Sequence, residues 1–148
     1  MRSRRRGIAA VVALSALVFA GSAQACSCAP RNPVDALSRA DAAIVARLVK
    51  VVPRGSLRAD YRYRVRRVYR GARMIDRGET ISVRSARRAA ACGLPRRQGH
   101  AVGLFLARDE RGHWTAGICS TISPRRLWQA ARQGYDRPRP GAQANCAS

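Results

Sequence analysis

Two cysteines one residue apart, Cys26 and Cys28, stand directly behind Ala23-Gln24-Ala25, and three more follow at Cys92, Cys119 and Cys146. These are the side chains whose type and spacing could do chemistry. As thiolates, cysteines ligate metals; oxidised, they staple loops. Cys26-x-Cys28 is too short for the Cys-x-x-Cys knuckle of a zinc site, and His100 and His113 show no ligand spacing. The reading is therefore disulfides, with no metal site of the protein's own and no cofactor. Five is an odd number, so at least one cysteine is left free or pairs between molecules. Paired carboxylates, a nucleophile elbow and a histidine beside a plausible nucleophile are all missing from the sequence, which leaves an enzyme unsupported.

What precedes Cys26 explains how it could come to be a terminus. Arg2, Arg4, Arg5 and Arg6 form a basic cap, Ile8 to Ala20 is almost continuously apolar, and Ala23-Gln24-Ala25 is a small-x-small cleavage pattern. This three-part order is that of a secretory signal peptide over residues 1–25. The apolar run is too short for a permanent bilayer span, so the mature form carries no transmembrane segment. The expected location is secreted, periplasmic or otherwise extracytoplasmic. A lipid anchor on Cys26 is the minority alternative, because Ala23 stands where lipoprotein signals carry a large aliphatic residue.

Residues 26–148 hold 25 basic side chains against 8 acidic ones, a net charge of +17. Such a surplus favours polyanions: acidic glycans, anionic lipid, nucleic acid or an acidic protein face. Export argues against nucleic acid as the main partner. Lys50 is the only lysine, so the arginines are read first as a compositional bias spread over a solvated surface, ahead of a polyanion site.

The elements that must position the cysteines are short strands. Residues 26–40, with Pro30 and Pro33, read as an extended or looped segment with room for one helical turn. Ala42 to Val52 is β-branched and half alternating, a strand ended by the turn Pro53-Arg54-Gly55-Ser56. Tyr61-Arg62-Tyr63-Arg64-Val65 alternates with period two, which puts Arg62 and Arg64 on the face opposite the aromatics. Arg66-Arg67 breaks the alternation before Val68-Tyr69, as a β-bulge does, and Gly71 ends the unit. Further strands are expected at Thr80–Val83, Ala101–Ala107 and Trp114–Ser120, with a hairpin-type turn at Asp109–Gly112. Ser123-Pro124 predicts an N-cap and first turn, and Leu127, Trp128 and Ala131 continue a helix that packs through Leu127 and Trp128. The Pro/Gly-rich residues 135–148 read as a loose tail. The fold class is all-β with a short helix, a five-stranded antiparallel barrel of the OB type stapled by disulfides.

Four segments together resemble the netrin-like module, and within it the inhibitory domain of tissue inhibitors of metalloproteinases. They are Cys26-Ser27-Cys28-Ala29-Pro30, matching Cys-x-Cys-x-Pro; Asp41 to Leu48, matching the first strand; Tyr61 to Gly71, matching the second; and Cys92-Gly93 with Cys119-Ser120. Their order covers about residues 26–134, expected as a single domain. The resemblance implies a monomeric inhibitor of a zinc metalloprotease whose free Cys26 amine and carbonyl chelate the protease's zinc. It implies that Ser27 enters the primary specificity pocket, with Cys28, Ala29 and Pro30 following along the cleft and Ala90 and Ala91 adding contacts. It also implies the pairs Cys26–Cys92 and Cys28–Cys119. Ser38 occupies the position of the family's remaining early partner, which leaves Cys146 unpaired. The alternative is a netrin-like module without inhibitory activity that binds polyanions or an envelope partner through Arg62, Arg64, Arg66 and Arg67. For that alternative Cys26-x-Cys28 is a staple only.

Overall fold

A computed structural model describes residues 26–135; the expected signal peptide, Cys146 and all but the first residue of the expected tail lie outside the described residues. The elements in chain order are α1 (Pro33–Arg39), β1 (Ala42–Arg54), β2 (Arg58–Arg70), β3 (Thr80–Ala86), β4 (Ala101–Arg108), β5 (Trp114–Thr115), β6 (Thr121–Ile122) and α2 (Pro124–Tyr135). Two short 3-10 turns, Ala89–Ala91 and Ile118–Ser120, sit in the connections.

The sheet runs β1-β2-β3-β5-β4, and β4 pairs back onto β1, so five strands close a ring; β6 adds to β4 outside it. Every seam of the ring is antiparallel except β3–β5, which is parallel. The expectation of an antiparallel barrel is corrected at this one seam, and the reason is parity. Strand directions cannot alternate all the way round a ring with an odd number of members. The fifth strand is also shorter than expected. Past Thr115 the Ala116 N–H still donates to the Arg84 carbonyl at 3.3 Å, and the N–H of Ile118 then donates to the carbonyl of Cys92 at 3.0 Å.

β2 shows why its sequence reads as it does. Tyr61, Tyr63 and Val65 are buried inside the ring with Ile44, Leu104 and Leu106, while Arg62 and Arg64 are exposed. Val45 pairs with Arg67 and Ala46 with Val65, so Arg66 is the extra residue of the expected bulge. Bulges at Arg66, Tyr69 and Val49 bend this long hairpin so that the sheet can curl closed. The turn between β1 and β2 falls at residues 55–57, later than expected, because the ladder extends to Arg54↔Arg58. At the β4–β5 turn the Asp109 side chain caps the N–H groups of Arg111 and His113 at 3.0 and 2.8 Å. The His113 N–H above all, together with its ring and the Arg111 N–H, holds the Asp109 carboxyl below the usual range.

A second, smaller apolar layer lies outside the ring, where Ala43 and Val45 meet Leu127, Leu37, Phe105 and Ile122. Two helices cover it, where one was expected. α1 is nucleated by Asn32, whose side chain accepts from the Val34 N–H at 2.9 Å, with Pro33 at the first helical position. α2 begins as expected at Ser123, whose Oγ accepts from the Arg126 N–H at 3.4 Å. Its buried face is Leu127 and Ala130; Trp128, expected in the packing, is 40% exposed instead. Successive helical positions lie 100° apart, so Leu127 and Trp128 cannot both point at one flat sheet. Gly103 on β4 lets this layer close: a Cβ there would lie 2.7 Å from Ile122 Cγ2 and 3.2 Å from Leu127 Cδ2.

Candidate functional site

Residues 26–32 belong to no helix or strand. Cross-links define the place of this ribbon. Cys26 is bonded to Cys92 across 66 residues and Cys28 to Cys119 across 91. The resemblance to the inhibitory domain implies the same two pairs. The two anchor points share one platform, because the Ile118 N–H donates to the Cys92 carbonyl. The ribbon is thus tied twice, one residue apart, to two loops that are hydrogen-bonded to each other.

The platform is shaped by backbone. Ala89–Ala91 forms a single 3-10 turn that ends with Cys92 in the left-handed region at φ 61°. Gly93 follows with its N–H on the Arg88 carbonyl at 3.1 Å, and the Leu94 N–H donates to Ser85 Oγ at 3.2 Å. A Cβ on Gly93 would come within 2.8 Å of the Arg88 carbonyl and closer still to that of Ala86, so only glycine lets the loop fold back this tightly. Gly93 and the Gly117-Ile118 turn shape this platform, and the cysteine spacing alone did not point to them. Cys92-Gly93 as a pair was the available signal.

Cys26 is half-buried; Ser27, Cys28, Ala29 and Pro30 are exposed. The Cys26 sulfur lies 3.6 Å from the Ala90 carbonyl oxygen and 3.8 Å from that of Ala89. A disulfide sulfur carries no proton, so these are packing contacts and not hydrogen bonds. The structure therefore brings Cys26, Ala90 and Cys92 together, and Ala90 and Ala91 are exposed beside them. On its other flank the ribbon borders an open groove of about 990 Å³, lined by Ala29, Pro30, the start of α1 and Ala116–Cys119. Arg62, Arg64, Arg66 and Arg67 are exposed on β2 and line no part of this groove. Among the described residues, no three His, Cys, Asp or Glu side chains gather in a metal-ligating arrangement.

These features define a class: a closed five-strand ring with an exposed ribbon of the Cys-x-Cys type, cross-linked at both cysteines to adjacent loops. The family model described as tissue inhibitor of metalloproteinase matches residues 24–142, and the chain belongs to that family. Its members inhibit metalloproteinases and are not enzymes, so the chain's function is of the metalloproteinase-inhibitor kind and its partners are metalloproteinases in general. They are typically secreted proteins, and no helix among the described residues is long and apolar enough to cross a membrane. No curated protein matches the chain.

Proposed function

We propose that cleavage after Ala25 frees the amine of Cys26, and that this amine and the Cys26 carbonyl oxygen occupy two positions on the catalytic zinc of a target metalloprotease. The observation that carries this reading is the double tie of an exposed, irregular ribbon to one hydrogen-bonded platform. Such a ribbon presents its backbone atoms at a fixed place, so little ordering entropy remains to be lost on binding. Five-membered N,O chelation displaces the water that attacks substrate. Ser27, the first exposed side chain after the chelating residue, points the reading towards a target with a small or polar primary pocket. Cys28, Ala29 and Pro30 extend along the cleft, and Ala90 and Ala91 add a second line of contact.

The test is a one-residue extension. An alanine placed before Cys26 moves the amine by about 3.5 Å and turns the Cys26 nitrogen into an amide, a poor ligand, whereas a zinc–nitrogen bond is roughly 2 Å. Native and extended proteins are assayed against a panel of zinc endopeptidases, with the mass of the mature N-terminus measured alongside. The expected result is inhibition by the native protein alone, with both forms equally folded by circular dichroism. Equal inhibition by both, no inhibition by either, or an acylated Cys26 would each end the chelation reading.

A further inference from the structure

We propose that the outer face of the β1–β2 hairpin is a binding track for a linear acidic polysaccharide, ending in an aromatic groove beside α2. This does not depend on the chelation reading, because it uses none of the ribbon's residues.

The pairing register carries the first half of the argument. On the outer face Arg47 stands opposite Arg64 and Lys50 opposite Arg62, and all four are exposed. Like charges directly across a strand pair destabilise it. The next strand offers no relief, since the outward partners of Arg64 and Arg62 on β3 are Thr80 and Ser82. Among the described residues none of these four cations is in an ion pair, so the fold leaves this cationic ladder unneutralised. An anionic group seated between two opposed guanidiniums converts that repulsion into two charge-assisted hydrogen-bond sets.

The second half is the groove into which the ladder runs. One row further along, Val45 faces Arg67, and there the wall of a groove of about 550 Å³ begins. Arg66, Arg67, Arg77 and Arg125 supply its charge, and Tyr69 and Trp128 its rings. The bulge at Arg66 lets two consecutive arginines share this wall. Arg132 stacks on Trp128 at 4.9 Å, and Arg67 Nη1 reaches the Tyr69 hydroxyl at 3.5 Å. None of the four arginines lining the groove is ion-paired to a carboxylate among the described residues.

The ligand's chemistry follows from this layout. From Arg67 to Arg62 the track is about 17 Å long at strand rise, which suits a linear polymer more than a single ion. Guanidiniums read carboxylate and sulfate groups, and an aromatic ring beside them packs on the apolar C–H face of a sugar. A single-stranded nucleic acid asks for rings under successive bases, whereas here both rings lie at one end. A membrane anchor presents Trp on a convex, aliphatic edge, whereas Trp128 lines a concavity among arginines.

Of the two tryptophans in the chain, Trp114 is buried and Trp128 is exposed, so emission changes on binding report the groove. The mature protein is titrated with heparin oligosaccharides (sulfated) and oligogalacturonates (carboxylated), which separates the two sources of negative charge. The expected result is a saturable emission change with at least one of them, lost in Trp128→Phe. Arg47→Gln/Arg64→Gln should weaken binding about tenfold near 0.15 M salt and flatten its salt dependence. Arg97→Gln/Arg111→Gln removes the same charge from outside the track and should weaken it less than about twofold. Because the ladder is self-repelling, Arg47→Gln/Arg64→Gln should melt no lower than the native protein; Arg66→Gln/Arg125→Gln repeats the binding test at the groove if it does. Equal weakening by the track and control variants would reduce the effect to overall charge and overturn the proposal. Tighter binding to single-stranded DNA, or to phosphatidylglycerol vesicles, than to either polysaccharide would overturn it as well.

Discussion

The ribbon at Cys26–Pro30 and the outer face of β1–β2 are both exposed, yet they are ordered by opposite means. The ribbon has no ladder; two covalent bonds and the loops at Cys92 and Cys119 place it. The β1–β2 face is placed entirely by its ladder, and the ladder's register sets Arg47 against Arg64. Cross-links can hold an irregular backbone whose carbonyls and nitrogens are free to meet a partner. A ladder spends its backbone groups on pairing and can offer only side chains, repeated every second residue. The first surface suits recognition through main-chain atoms, the second through charge.

This contrast can be broken at its strongest point by removing one tie. Cys28→Ser/Cys119→Ser opens a loop of 91 residues, which the chain-entropy model values at about 4–5 kcal/mol. A large drop in the urea midpoint is expected, with loss of inhibition and retention of strand signal by circular dichroism at low denaturant. Unchanged inhibition would mean that the platform alone positions the ribbon. The next largest effect separates neighbours on α2. Leu127→Ala deletes a side chain that is 0% exposed and should cost about 3 kcal/mol, whereas Trp128→Ala should cost less than about 1 kcal/mol. Equal losses in thermal unfolding would place Trp128 in the core after all. The smallest effect concerns the amine. An unperturbed α-amino group titrates near 8, and a proton on it competes with the zinc. Below that pH the inhibition constant should rise by about tenfold per unit, after correction for the protease's own profile, while polysaccharide binding stays flat. A flat inhibition profile would separate inhibition from the amine.

Much of the scaffold was readable in advance because period-two alternation is a local signal. Tyr61 to Val65 declares its buried face, and the doubled Arg66-Arg67 declares a bulge, without knowledge of any partner strand. Ser123-Pro124 likewise announces a helix start. α1 was less visible: seven residues with a single buried side chain, Val34, carry little periodicity. The Leu127 and Trp128 pair misled because both are large and apolar, while the direction of helix approach decides which one is covered. Arg47 and Lys50 went unread as part of a charged face, because their charge matters only through what stands across from them.

The chain's own order of residues already settles the strand faces, the bulge, the α2 cap and the placement of Cys-x-Cys beside a cleavage pattern, because each depends on neighbours within a few residues. Ring closure settles the rest. It forces one parallel seam, since five directions cannot alternate round a circle. It cuts β5 short, so that Ile118 can bond Cys92 and carry Cys119 to the ribbon. It also sets the β1–β2 register that lines up four cations with no acid between them. These are relations between residues 12 to 91 positions apart, and no local pattern encodes them.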